Sequence, residues 1–147
     1  MKERHKNVPA SYLIFLNGTK TLLLRRYNTG YEDGNYSLVA GHVDPGETFT
    51  QCIIREAEEE AGIFVEAKDL EVKHVMHRNS GMNENNERVD VFFVVKKWKG
   101  EIVNKELNKC DDLSWFDINS LPENIIPCVR HALTCIASNV FYSEFGW

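Results

Sequence analysis

No apolar run in this chain approaches the ~20 residues needed to cross a bilayer, which excludes a transmembrane helix. The first seven residues, Met1 to Asn7, are mostly charged and lack the apolar core of a signal peptide, so the expected location is the cytoplasm. Cysteine is scarce. The four thiols, Cys52, Cys110, Cys128 and Cys135, include no pair at the two-residue spacing that a zinc site favours. Reduced, buried thiols are expected instead. Positive charge is in deficit, with 17 Lys and Arg against 22 Asp and Glu and a net charge of −5. That balance argues against a broad nucleic-acid-binding surface, which needs a basic patch. There is no Asp-x-Asp-x-Asp-Gly loop of the kind that binds calcium. Repeats, low-complexity tracts and linker-like stretches are absent too, so residues 1–147 are expected to form one domain with a core of its own.

What is present is an irregular alternation of strand and helix signals. Residues 11–16 and 21–26 are β-rich, and Asn17-Gly18 between them is a hairpin signal. Residues 27–36 carry the Gly, Asn and Asp content of a loop. Residues 37–40 read as a short strand. Further strands are expected at 63–66, 72–76, 89–98 and 113–116. The run Val91 to Val95 is apolar throughout and is expected to be buried on both faces. Residues 79–87 are polar and expected to form a mobile loop. Pro127 suits a first helical turn, opening a helix to about Val140 with Val129, Leu133, Ile136 and Val140 on one face. This mixture belongs to the α/β or α+β class.

The chemistry concentrates in residues 41–63. Asp44-Pro45-Gly46 has turn chemistry, because proline fixes φ and glycine accepts positive φ. Either Thr48, with Gln51 as partner in a capping box, or Thr50 starts a helix. Gly62 stops it, standing where a left-handed residue is wanted. Ile53, Ile54, Ala57 and Ala61 recur at helical spacing and face the core. Glu56, Glu59 and Glu60 stand at i, i+3 and i+4 and share a face. Two carboxylates about 5 Å apart repel by roughly 3 kcal/mol at an effective dielectric near 20. They also lie toward the helix C-terminus, the wrong end for anions. A hard divalent cation relieves both penalties, since Mg²⁺ or Mn²⁺ takes oxygen ligands. The triplet therefore reads as a carboxylate cradle for Mg²⁺.

The full spacing is more specific than the triplet. Gly41, five residues, Glu47, seven residues, Arg55-Glu56, then Glu59-Glu60, Gly62 and Ile63 resembles the signature of the Nudix hydrolases, the MutT-like enzymes. The resemblance implies an α/β/α sandwich around a mixed sheet. It also implies hydrolysis of a nucleoside diphosphate linked to another group, with Mg²⁺ or Mn²⁺ as cofactor. Carried over by position, Glu56, Glu59 and Glu60 are the metal-binding carboxylates and the Gly41 carbonyl is a further ligand. Glu47 and Arg55 form an orienting pair, and a charge-assisted Arg–carboxylate pair does fix geometry.

Further candidates lie outside the motif. Arg25 or Arg26 presents a planar fork of donors to phosphate, with the resemblance favouring Arg25. Tyr31, with Tyr27 and Tyr36, is a stacking candidate for a base. Glu106, in a stretch resembling one that supplies an additional acidic ligand or base, joins Glu56 as a candidate general base. Asp111 and Asp112 are its rivals. His74, His77 and Arg78 either line a phosphate-facing strand or, as the favoured expectation, lie at the surface. Between Phe64 and Val89 there is neither proline nor tyrosine. Within the resemblance, that absence leans toward a nucleoside triphosphate, cleaved to monophosphate and pyrophosphate. ADP-ribose or nucleotide-sugar hydrolysis and a non-catalytic nucleotide-binding role are the alternatives, and a capped or triphosphorylated RNA 5′ end stays open, disfavoured by the net acidity and the lack of a basic stripe. The partner expected is a small nucleotide, with the protein a monomer or homodimer.

Overall fold

The computed structural model describes residues 2–81 and 86–147. Its strands are β1 (Val8–Asn17), β2 (Lys20–Arg26), β3 (Tyr36–Ser37), β4 (Val39–His42), β5 (Leu70–Asn79), β6 (Glu87–Val95), β7 (Cys110–Asp117) and β8 (Tyr142–Phe145). The helices are α1 (Phe49–Ala61) and α2 (Pro127–Ala137).

The strands form a mixed sheet. β1 runs parallel to β6 from Val8 to Phe15, β6 is antiparallel to β5, and β5 is parallel to β8. The other edge of β1 has two partners. Ala10 to Leu13 pair with β4, whereas Leu16 and Asn17 pair with β2. β2 in turn carries β3 and β7. The sheet thus forks at β1, and the chain crosses the fork at Leu38, between β3 and β4. The single strand expected at 37–40 is really two strands with different partners.

Alternation along β1 and β6 explains the two cores. Leu13, Phe15, Val91, Phe93 and Val95 pack on one face with Ile53, Ala57 and Ala61 of α1. Ile14, Phe92 and Val94 pack on the other with Val129, Ala132 and Leu133 of α2. Both faces of the Val91 to Val95 run are buried, as its unbroken apolar sequence implies. This is the expected α/β/α sandwich.

Several boundaries differ from the sequence reading. Residues 63–66 form no strand; Phe64 makes one bridge to Lys99, and a 3-10 turn at Ala67–Asp69 follows at once. β5 runs well past the expected 72–76 because β6 pairs with it along its length and carries its polar residues into the ladder. α2 ends three residues before Val140, since Asn139 takes a left-handed φ of 57°. β8 was not expected. It has only four residues and no clear apolar alternation, so its place is set by docking beside β5. Of the polar stretch 79–87, Asn79 and Glu87 pair as strand ends, while residues 82–85 lie outside the described residues. His74 and Arg78 are buried, against the expected surface placement. His74 bonds the Val140 carbonyl and Ser143 Oγ, and Arg78 donates through Nε to Asp90.

Candidate active site

α1 starts at Thr48, not Thr50. Thr48 Oγ1 accepts from the Gln51 N–H and the Gln51 side chain accepts from the Thr48 N–H, a complete capping box. Gly62 ends the helix at φ 67°. With both ends set and Ile53, Ala57 and Ala61 in the core, the flank of the helix next to that apolar stripe directs Glu56 and Glu60 at β4.

The contact with β4 is close. A Cβ on Gly41 would lie 2.1 Å from Glu56 Oε1. Only glycine leaves that carboxylate where it is. Glu60 accepts a hydrogen bond from the Ala40 N–H at 3.2 Å. Glu59 is turned further out, 52% exposed, with Arg55 Nη1 3.4 Å away. Arg55 is the hub. Its Nε and Nη2 bind both oxygens of Glu47 at 2.8 and 2.9 Å, Nη1 binds Glu56 at 2.8 Å, and Nη2 also reaches the His42 carbonyl. The Arg55–Glu47 pair ties the 44–47 turn to the helix.

Electrostatics follow from this packing. Hydrogen bonds from Arg55 and from the Asp44 N–H hold the Glu47 carboxyl down at about 2. Burial pushes Glu56 up against the opposing pull of Arg55, with Glu59 and Glu106 adding to the rise. Burial pushes Glu60 well above the usual range, and the Glu56 charge pushes it further. A proton or a cation removes that penalty.

These carboxylates line a 480 Å³ cleft at the fork in the sheet. Glu106 joins Glu56, Glu59 and Glu60 there, and Arg25 and Arg26 face them from β2. Arg25 is bound to Asp111 at 2.7 Å, and Arg26 to the Tyr31 carbonyl and Thr29 Oγ1. Arg26 also lies over the Tyr31 ring, 5.2 Å from its centroid. Asp111 is thus engaged by Arg25, and Asp112 accepts from the Tyr36 hydroxyl and from Ser114. Neither aspartate lines the cleft. Sequence reasoning missed Thr29, which lines the cleft from within the 27–36 loop, and Lys109, 3.7 Å from Glu106.

Among the described residues, no three acidic, histidine or cysteine side chains already form a finished ligand set for a metal. The donor chemistry still fits a hard divalent ion. The cleft offers carboxylate oxygens, two of them crowded and partly desolvated, beside a glycine whose missing Cβ leaves room for one of them. Among the described residues, no helix is long and apolar enough to cross a membrane.

Comparison with known proteins gives a consistent picture. The NUDIX domain model matches residues 6–133. A curated relative, the NAD-capped RNA hydrolase NudC of Chromobacterium violaceum, is 31% identical over 130 residues, 84% of this chain but 45% of that protein. The chain therefore spans about half the length of that relative. Among solved structures, the MutT NUDIX hydrolase from Burkholderia pseudomallei superposes with a TM-score of 0.80 at 25% identity, covering 88% of this chain and 98% of that one. An ADP-ribose pyrophosphatase from Streptococcus suis superposes at 0.60 with 17% identity, over 96% of this chain and all of that one. At that identity the likeness is one of fold alone.

Proposed function

The chain belongs to the Nudix hydrolase family, and from that premise we propose that it hydrolyses a pyrophosphate bond in a small nucleotide, with Mg²⁺ or Mn²⁺ as cofactor. The substrate class is a nucleoside triphosphate, and the products are the monophosphate and pyrophosphate. The observation that carries this reading is the placement of Glu56, Glu59, Glu60 and Glu106 opposite Arg25 and Arg26 across one cleft.

Glu56, Glu59 and Glu60, with the Gly41 carbonyl, would hold the ion. When bound, the ion supplies charge neutralisation at the phosphates and a water of lowered pKa. Arg26, fixed by Thr29 and the Tyr31 carbonyl, presents positive charge to the phosphate chain. Arg25 does so beside Asp111. Glu56 or Glu106 takes the proton of the attacking water. The water oxygen forms a bond to phosphorus, and the bridging P–O bond breaks with its electrons leaving on pyrophosphate. Arg55 and Glu47 keep the metal-binding helix and its loop in register while this happens.

A second reading is a substrate with a nucleoside on each side of the pyrophosphate. Similarity to the NAD-capped RNA hydrolase NudC favours it. One experiment separates these readings. Purified protein with Mg²⁺ is given nucleoside triphosphates, NAD, ADP-ribose and nucleotide sugars, and the products are resolved by chromatography. The proposal expects monophosphate and pyrophosphate from a triphosphate, abolished by EDTA. Faster cleavage of NAD or ADP-ribose would replace the substrate, and no metal-dependent cleavage of any would leave a binding module.

A further inference from the structure

The loop between β2 and β3 carries Thr29 into the carboxylate cleft. Its base is Arg26, whose N–H donates to the Asn35 carbonyl at 2.9 Å and whose carbonyl accepts from the Gly34 N–H at 2.8 Å. The loop is pinned from outside as well. The Tyr27 N–H donates to the Lys109 carbonyl, and Asn124 Nδ2 donates to the Gly34 carbonyl. Between these anchors the backbone is strained: Asn28 and Glu32, neither a glycine, take left-handed φ angles of 53° and 50°. Such a path persists only where side chains hold it.

One carboxylate does most of the holding. Asp33 Oδ1 accepts from Thr29 Oγ1 at 2.6 Å and from the Thr29 N–H at 3.0 Å, and Oδ2 accepts from the Gly30 N–H at 2.9 Å. These bonds, that of the Thr29 hydroxyl foremost, keep the Asp33 carboxyl below the usual carboxylate range. Asp33 is exposed and does not line the cleft, so it meets no substrate there. Its effect passes through Thr29. The hydroxyl has one hydrogen, and Asp33 is its nearest and its only charged acceptor. The Thr29 oxygen then accepts from Arg26 Nη2 at 3.1 Å and from the Tyr31 N–H at 3.2 Å. Arg26 Nε donates to the Tyr31 carbonyl at 2.6 Å, and the Tyr31 ring covers one face of the guanidinium. Among the described residues nothing accepts from Arg26 Nη1.

We propose that Asp33 is a positioning residue for phosphate binding: through Thr29 it locks Arg26 before substrate arrives, leaving Nη1 as the free donor for a phosphate oxygen. The inference rests on the reading that the cleft acts on a phosphate chain. Ordering one long side chain at the moment of binding weakens affinity by about 2- to 10-fold, and the lock removes that loss. Charge alone argues in the opposite direction. A carboxylate near a polyanion site repels the polyanion, so deleting Asp33 would tighten binding if its charge were all that mattered. The sign of the effect therefore separates positioning from electrostatics.

The test reads binding, not turnover. Inorganic pyrophosphate with Mg²⁺ is titrated into the purified protein by calorimetry. Asp33→Ala is expected to bind it about 2- to 10-fold more weakly. Thr29→Val breaks the link from its other end, leaves Asp33 charged and should weaken binding likewise, so the inference stays open to refutation if the aspartate variant folds poorly. Asp33→Asn keeps an oxygen for the Thr29 hydroxyl and should bind more tightly than Asp33→Ala. Arg26→Met should weaken binding by about 10- to 100-fold, and adding Asp33→Ala to it should cause no further loss, because the residue acted upon is gone. No pyrophosphate binding by the native protein, native or tighter binding in either Asp33→Ala or Thr29→Val, or an equal loss in the Arg26→Met background would overturn the inference. Coupled losses of pyrophosphate affinity without metal-dependent cleavage of any nucleotide would leave this inference standing and sink the hydrolase reading, while cleavage with uncoupled substitutions would do the reverse.

Discussion

Gly41→Ala isolates function from folding. The added Cβ would stand 2.1 Å from Glu56 Oε1, where ordinary contact begins at 3.4 Å. The carboxylate must therefore withdraw by a little over 1 Å. Glu56 Cδ and Cγ, 2.3 and 2.7 Å from that position, must move as well, so the whole side chain swings aside while the backbone stays in place. Gly41 lies in β4 without a positive φ, so alanine also removes unfolded-state freedom there, worth about 0.4–1 kcal/mol in favour of the variant. The net stability change should stay within about 1 kcal/mol, since the two effects oppose each other. Activity has no such compensation. A displacement near 1 Å in a reacting group costs roughly 100-fold. Steady-state release of pyrophosphate with Mg²⁺, measured beside a thermal melt, reads both quantities. Near-native turnover in a well-folded variant would refute the placement of Glu56 at the working centre. A collapse of the melt would refute the claim that the carboxylate, and not the backbone, absorbs the change.

Other predictions follow from the same geometry. The folded chain holds the Glu60 proton more tightly than the unfolded chain, so in EDTA stability should fall as pH rises above 4.5 through the raised pKa. Glu60→Gln should remove that fall in urea titrations, and Mg²⁺ at 100 times its Kd should stabilise the native protein by about 2.7 kcal/mol and the variant by less. Glu47 has the opposite sign: its contribution is complete above pH 4.5 and is lost as pH falls through about 2. Arg55→Met should abolish this acid-side dependence and lower turnover by about 100-fold, read by acid unfolding and kinetics, because the loop then loses its register on the helix. Ser143→Ala takes a partner from buried His74 and should cost about 1–3 kcal/mol in urea unfolding with turnover unchanged. Burial holds the His74 pKa below 6.5, so the native protein should lose stability as pH falls through that value.

The helix that carries the carboxylates was legible in the sequence because every signal there is local: a threonine cap at Thr48 or Thr50, the Gly62 stop, the apolar spacing and the glutamates within one turn. The two-faced core was legible in Val91 to Val95 for the same reason. What depended on distant partners was not. Nothing local says that residues 37–40 change partners at Leu38, yet that change makes the fork where the cleft lies. β8 and the burial of His74 depend on each other across the chain. Arg78 and Asp90 are twelve residues apart and sit on adjacent strands; a charged residue in β5 looks like surface until β6 is laid beside it. Glu106 was assigned through family resemblance, and its place beside Glu56 and Glu60 depends on the loop after Gly100 returning to the C-terminus of α1, where the Lys105 N–H bonds the Glu60 carbonyl.

The most direct measurement of the central claim is Mn²⁺ binding followed by electron paramagnetic resonance, in the native protein and in Glu56→Gln, Glu59→Gln and Glu60→Gln, with and without nucleotide. The account predicts saturable binding that each substitution weakens at least about tenfold, with nucleotide tightening it in the native protein. Undiminished Mn²⁺ affinity in all three variants would contradict it.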